Sequence, residues 1–594
     1  MNIKRIFDLL DRYEQLFKNK DDVFGAKQNG KWIEYSTKDY ITFSHQISYG
    51  LLSLGFQKGD KIITITNNRP EWNFVDMGMA MIGVVHVPVF TSLSSVEYEF
   101  IFEHSDAKLI FVSDKTLYTK IIQAAKKTNI DNLIYSFDKV DQVKNWNEII
   151  NRGKESAVYY REEVEKLKKS IHEDDFATLI YTSGTTGTSK GVMLSHRNMV
   201  QNFLAAAEVF QLSLNDRFLS ILPLCHVGGR MGNYQTQYSG SSLYYAESMG
   251  TLAANMKEIK PSGFEAVPRI LEKVFDSIVA KGNKLKGLKK MIFFWAVSLG
   301  LEYKIKNESS WLYKLKLKIA DKLIFSKWRD ALGGKLRLIG CGGAALQPRL
   351  EKIFWAAGIK VINMYGLTET SPIITINRQT KPDLKLGTVG TLIHGVEIKI
   401  NDDGEILCKG HNVMLGYYKN TELTEQVFDN EGWFHAGDIG YLDENKFLVV
   451  TDRKKEIFKL SSGKFIAPQV IENKLKESVF IDQIMVIGEH EKFASALISP
   501  DFFNIKDWCN SKNLKYKSNT DIILIPEVYS LIQEEIKNLN KKNAKAEHIL
   551  KFKLVADEWS PVSGELSPTL KLKRKFIAKK YQDQIDQIYS KQMV

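Results

Sequence analysis

The sequence predicts an α/β protein: a large N-terminal domain of layered α/β sheets with a smaller, mobile α+β C-terminal domain. Three observations carry that reading. Short β-branched runs recur through the first three quarters of the chain and end in glycine-rich turns. Segments with helical apolar spacing separate them. From Asp452 the character changes to a charged run, followed by a compact module with its own strand and helix signals.

The elements follow in order. Lys61 to Thr66, Leu109 to Val112, Thr178 to Tyr181 and Leu336 to Ile339 read as strands, because continuous apolar runs suit parallel strands covered on both faces. Asn198 to Phe210 and Pro348 to Ala357 carry helical spacing between them, and this alternation favours layered sheets. Gly184 follows the third strand, Gly342 and Gly343 the fourth, and Gly366 comes after Met364. In open α/β sheets, ligands gather at the carboxyl ends of strands, where these glycines lie. The charged run Asp452 to Glu456 sets the expected division, 1–451 and 452–594. Beyond it, Pro468 to Lys476 reads as a helix, with strands at Gln483 to Gly488 and Phe493 to Ser499.

At 594 residues the chain is long enough for at least two well-filled cores. With 44% hydrophobic residues and only 13 prolines it is an ordered protein, not a disordered or fibrous one. The net charge of +12 suits anionic partners. It does not mark a nucleic-acid binder, because the excess lies in Lys281 to Arg329 and Lys537 to Lys580, without a base-reading motif. Cys225, Cys341, Cys408 and Cys509 are too scattered for a metal pair or a disulfide framework, which fits a cytoplasmic setting. No signal-like segment opens the sequence, and Met291 to Leu301 is short of the roughly 20 residues that span a bilayer. Within the insert 281–329, lysines alternate with Phe293, Phe294, Trp295, Trp311 and Trp328. That pattern suits either a helical hairpin packed on the protein or a peripheral contact with the inner face of an anionic membrane.

The strongest motif is Tyr181-Thr182-Ser183-Gly184-Thr185-Thr186-Gly187-Thr188-Ser189-Lys190-Gly191. Glycines turn backbone N–H groups toward an anion, hydroxyls add donors, and Lys190 brings a positive charge, so the loop suits a polyphosphate. It is not a Walker loop, because Ser189 precedes Lys190 and Gly191 follows it. Nor does Ser183 stand in a GxSxG elbow, since Tyr181 holds the first glycine position.

The run from Tyr181 to His196 closely resembles the signature of the adenylate-forming enzymes, which include acyl-CoA synthetases, luciferases and peptide-synthetase adenylation domains. Four further stretches match in order. Gly342-Gly343-Ala344 resembles the family's adenine-side loop, and Tyr365-Gly366-Leu367-Thr368-Glu369-Thr370 its acidic loop. Gly432 to Asp438 resembles the ribose-binding stretch, and Asp452 to Glu456 the interdomain hinge.

The resemblance implies an ATP-dependent, AMP-forming fatty acid–CoA ligase, with ATP and CoA as cosubstrates and Mg2+ as cofactor. It implies that Thr182 and Glu369 assist the metal, that Asp438 binds the ribose hydroxyls, and that Arg453 and Lys459 lie near the nucleotide. Ser183, Gly184, Thr185, Thr186, Gly187 and Lys190 would cradle phosphates. His226 matches the family's aromatic or histidine position at the acyl pocket, while a structural histidine is the other reading. In Leu566-Ser567-Pro568-Thr569-Leu570-Lys571-Leu572-Lys573 the family places its adenylation lysine. Lys571 is the choice and Lys573 the alternative, because many members have glycine where Leu570 stands. That variant motif, Asn68 to Trp72 and the insert resemble long-chain enzymes. Two other functions stay open: a fatty acyl-AMP ligase loading a carrier protein, and a non-catalytic, membrane-associated nucleotide-binding protein.

Overall fold

A computed structural model describes residues 2–183, 189–305, 310–541, 544–567 and 570–590. Two large sheets dominate the N-terminal part. The first centres on strands Lys61–Ile65, Val85–Val89, Ala107–Val112 and Phe176–Ser183, with Ser189–Ser195 and then Gly416–Tyr417 added antiparallel at one edge. The second runs through Ser242–Tyr245, Arg217–Ser220, Gly263–Ala266, Leu338–Cys341 and Lys360–Gly366, all parallel. Every residue of Val85–Val89 is buried, as parallel strands covered on both faces require.

Local chemistry starts the helices. Ser195 ends its strand and caps helix His196–Phe210, its hydroxyl accepting from Asn198 N while Asn198 Oδ1 accepts from Ser195 N. Pro70 opens helix Pro70–Met81 at a position where no N–H is needed, and all its residues are buried. Helix Val227–Tyr238 is buried along nearly its whole length. A polar network joins these two helices inside the core: Asp76 accepts from Arg230 Nη2 at 2.6 Å and from the Tyr234 hydroxyl at 2.5 Å, and His86 Nδ1 lies 2.6 Å from it.

The sequence-derived strands appear with shifted ends. Leu336 to Ile339 becomes Leu338–Cys341: the amides of Arg337 and Leu338 both donate to the Ser262 carbonyl, and the register with Gly263–Ala266 starts at Leu338. Strand Leu448–Arg453 continues past the expected division, with Asp452 opposite Ile439 and Arg453 opposite Asp438 in a four-stranded sheet. A separate core begins at Phe458 and gathers helix Pro468–Leu475 with strands Ile481–Ile487, Ala494–Pro500 and Ile549–Leu554.

Within the C-terminal part, Arg574 forks onto Glu472 at 2.8 and 2.7 Å and reaches Glu456 at 2.8 Å, while Gln469 N donates to Asp452, on the last strand of the four-stranded sheet, at 3.0 Å. Arg269 pairs with Asp482. The insert forms helices Gly287–Leu301, Trp311–Ala320 and Ser326–Ala331, joined in part by a π-helical turn at Asp321–Phe325. All four cysteines are buried and free. Among the described residues, no helix is long and apolar enough to cross a membrane.

Candidate active site

A cavity of about 2010 Å³ opens where the two large sheets, the four-stranded sheet and the small domain meet. Thr182 and Lys190 reach it from the antiparallel pair Phe176–Ser183 and Ser189–Ser195, in which they face each other across the ladder. Gly184, Thr185, Thr186 and Gly187 lie outside the described residues, as does the side chain of Ser183.

Lys190 Nζ stands 5.0 Å from the centre of the Tyr417 ring, and the Tyr417 hydroxyl donates to Glu369 Oε1 at 2.8 Å. Tyr417 thus ties the phosphate-loop cation to the acidic loop. Burial and the nearby Lys455 lower the pKa of Lys190. Glu369 follows strand Lys360–Gly366 in a short 3₁₀ turn, Thr368–Thr370, and Thr368, Tyr365 and Gly366 line the cavity beside it. The turn depends on Gly366: a Cβ there would meet the Pro372 carbonyl oxygen at 1.6 Å.

Asp438 is buried, behind the cavity wall. Its Oδ2 accepts from the Tyr365 hydroxyl at 2.7 Å, and its Oδ1 forms an ion pair with Arg453 Nε at 2.8 Å. Burial raises its pKa, and Arg453 opposes that rise. Glu405 holds the adjoining run, accepting from Lys454 Nζ at 2.7 Å and from Gly437 N at 3.1 Å.

His226 caps helix Val227–Tyr238, its Nδ1 accepting from Gly228 N at 3.1 Å. Burial, then the charge of Lys571, pushes its pKa down to about 4, so the ring is neutral at pH 7. With Nδ1 accepting, Nε2 carries the proton, on a side chain that lines the cavity.

Lys571 enters from the small domain on a tight turn. Ser567 N donates to Lys571 O at 2.7 Å, Lys571 N donates to Ser567 Oγ at 3.0 Å, and Leu566 bridges Leu572. The turn passes through Leu570 at φ 62°, the left-handed region that favours glycine. Leu570 instead packs beside a small apolar cluster around Met485, Trp559 and Ile577. The Lys571 side chain is exposed to the cavity interior yet enclosed by protein. Desolvation and the charge of Arg453 pull its pKa down to about 8, against Asp438 and Glu369. Lys573 lines the cavity as well.

Two expected residues stand apart. Lys459 is exposed, its ammonium 5.5 Å from the Phe465 ring, while its strand neighbour Phe458 lines the cavity. Ala344 is exposed and outside the lining, whereas Gly342 and Gly343 are within it. Tyr417, Glu405 and Glu265 also line the cavity, and the sequence motifs had not singled them out. Tyr417 has a local signal only in its place between Gly416 and Tyr418.

This chain belongs to the AMP-binding enzyme family: residues 14–418 match the AMP-binding enzyme domain and 455–593 the AMP-binding enzyme C-terminal domain. It is similar to the long-chain-fatty-acid–CoA ligase FadD15 of Mycobacterium bovis, at 31% identity over 95% of this chain and 94% of that one. It is similar to the long-chain-fatty-acid–CoA ligase ACSBG2 of Xenopus laevis, at 31% identity over 97% of this chain and 83% of that one. The fold is that of the adenylation domain of a carboxylate reductase from Mycobacterium chelonae, with TM-score 0.76 and 20% identity over 99% of this chain and 91% of that one.

Proposed function

We propose that this protein is an ATP-dependent long-chain fatty acid–CoA ligase that forms acyl-AMP and pyrophosphate, then acyl-CoA and AMP. One observation carries the reading: Thr182, Lys190, His226, Glu369 and Lys571, drawn from separate elements of two domains, converge on one cavity. The near-full-length similarity to two long-chain-fatty-acid–CoA ligases supports the substrate class.

In the first step a carboxylate oxygen bonds to the α-phosphorus and the α–β phosphoanhydride bond breaks, releasing pyrophosphate. The difficulty is that two anions must meet, so positioned positive charge and donors do most of the work. Lys190 and Lys571 supply the charge, and Nε2–H of neutral His226 orients the carboxylate. Asp438 takes the ribose hydroxyls, sharing oxygens that already accept from Tyr365 and pair with the charge of Arg453; an ionised carboxylate has acceptor sites to spare. Arg453 steadies the nucleotide from the same side.

The residues present fit Mg2+. Glu369 Oε1 accepts from Tyr417, which leaves the second oxygen for an ion, and the Thr182 hydroxyl lines the same cavity. One protein carboxylate is enough for an ion that takes its other ligands from phosphates and water. When bound, Mg2+ draws charge off the phosphate oxygens.

In the second step the CoA thiol sulfur bonds to the acyl carbon, AMP departs and the thiol proton is lost. This needs different groups beside the same carbonyl. We take the boundary at 451/452 and rotation about Asp452 to Glu456 as the means of exchanging them.

We also propose that the insert meets an anionic membrane surface. Phe293, Phe325 and Trp328 are buried against the protein, while Leu288, Met291, Trp311, Leu312, Leu315 and Ile319 are exposed among lysines.

The overall reading is tested by mass spectrometry of products after incubation with Mg-ATP, CoA and a graded panel of fatty acids. AMP, pyrophosphate and acyl-CoA are expected. ADP in place of AMP would overturn it.

A further inference from the structure

Glu265 stands in strand Gly263–Ala266, near the middle of the second large sheet and opposite Gly340 on the next strand. It is 7% exposed, and its Oε1 is buried with no hydrogen-bond partner. No described cation pairs with it. Burial alone pushes its pKa up to about 8, so it is a neutral acid at pH 7.

Its surroundings are apolar. Ile221, Leu222, Met231, Val267 and Met364 line the large cavity with it. The same side chain also lines a second pocket of only about 10 Å³, between strand Arg217–Ser220 and helix Val227–Tyr238, where Phe218 and Leu243 stand beside the polar Ser220 and Asn233. The helix crosses directly over the carboxyl: a Cβ at Gly232 would come within 2.1 Å of Glu265 Cδ and Oε2. Glycine at 232 therefore makes room for this carboxyl group and nothing larger.

An unpartnered carboxyl in an apolar wall is a poor structural choice, since an aliphatic side chain of similar size would fill the space without the desolvation cost. Its bulk and position are what distinguish it. His226 begins the helix that Glu265 meets at Gly232, so the apolar wall extends from the proposed carboxylate end toward this side chain.

We propose that Glu265 is a specificity-determining residue: its side chain is the partition between the acyl-binding cavity and the small pocket behind it, and it limits the length of acyl chain the enzyme accepts. The proposal rests on the fatty acid–CoA ligase reading above. Shortening the side chain vacates the volume of its carboxyl group and joins it to that small pocket, which gives the last methylene of a longer chain somewhere to go. An extra methylene buried in a hydrophobic site is worth roughly 10-fold or more in specificity, so the change is measurable.

The test compares kcat/KM across a graded panel of saturated fatty acids for the wild type, Glu265→Ala, Glu265→Val and Glu265→Gln. Glu265→Ala is expected to raise the ratio of the longest to the medium-chain acids about 10-fold. Glu265→Val should raise it less, and Glu265→Gln, which keeps the bulk, should leave it within about 2-fold, the size of change that a contact smaller than one methylene gives. The ratio is taken on one preparation, so it does not depend on the fraction of protein folded. An unchanged ratio in both shortened variants would overturn the proposal, as would an equal shift in Glu265→Gln. A wild type that activates no fatty acid of the panel would instead overturn the function on which the proposal rests.

Discussion

Arg453 and Asp438 face each other across the last strand pair of the four-stranded sheet, and Arg453 Nε forms an ion pair with Asp438 Oδ1 at 2.8 Å. The second residue of the hinge run thus holds the proposed ribose acceptor, so hinge position and nucleotide binding share one ion pair. Asp438→Ala removes the acceptor and leaves Arg453 without its partner. The KM for ATP should rise about 10- to 100-fold, as loss of a charged hydrogen bond worth roughly 1.5–3 kcal/mol implies. Steady-state kinetics with ATP varied checks this, and an unchanged KM would remove Asp438 from the site.

Lys571 gives a pH signature. Its pKa is lowered from 10.5 to about 8, so the cation is present below pH 8 and is lost as pH rises through it. Adenylation, read as kcat/KM in the free enzyme, should therefore fall above about pH 8. The stability sign is opposite: between pH 8 and 10.5 the unfolded chain binds the extra proton, so this group's penalty on folding is relieved as pH rises. Lys571→Arg should move the kinetic limb upward, and Lys571→Ala should lose adenylate formation while still converting supplied acyl-adenylate to acyl-CoA. If Lys573→Ala does this instead, the assignment moves to Lys573.

The buried network around Asp76 fixes the two sides of the cavity relative to each other. Arg230 lies one helical turn beyond His226 and reaches both Asp76 and the Thr178 hydroxyl, on the strand that ends at Thr182 and Ser183. Arg230→Met leaves Asp76 buried without its cation and should cost about 3–5 kcal/mol. The double variant with Asp76→Asn should cost less than the sum of the single changes, because neither charge is then stranded. Chemical denaturation of the four proteins measures this, and strict additivity would contradict the coupling.

The insert predicts a vesicle phenotype. Trp311, Leu315 and Ile319 recur one turn apart on one exposed helix face. Leu315→Glu with Ile319→Glu should abolish co-sedimentation with anionic vesicles while sparing activity on a soluble, shorter acid. Added salt should weaken the wild-type interaction, since lysines act over about a Debye length. Sedimentation unaffected by both treatments would sink the membrane contact.

Much of this was legible in the sequence where local chemistry decides the outcome. Helix His196–Phe210 announces itself through its apolar spacing, and the phosphate loop through glycines and hydroxyls between an apolar strand and that helix; the second strand, Ser189–Ser195, is not announced. Side-chain direction was less legible. Lys459 and Phe458 are neighbours in the chain, but alternate residues of a strand point to opposite sides, and it is Phe458 that faces the cavity.

Tyr417 was hidden for another reason. It lies in a two-residue strand paired with Val192, so its contact with Glu369 comes from chain-distant packing. Glu265 reads as one polar residue in a strand until helix Val227–Tyr238 is seen to cross it at Gly232. Leu570 departs from the glycine seen in many adenylate-forming enzymes, and its φ of 62° gives that departure a physical meaning: the turn keeps its left-handed bend and gains an apolar contact.

The central claim is acyl-adenylate formation, and a reaction without CoA tests it most directly. Purified protein incubated with Mg-ATP labelled in the α-phosphate and a long-chain fatty acid should release pyrophosphate only when the acid is present, with the α-label recovered in acyl-AMP. Label recovered in ADP, or pyrophosphate release independent of the acid, would contradict the account.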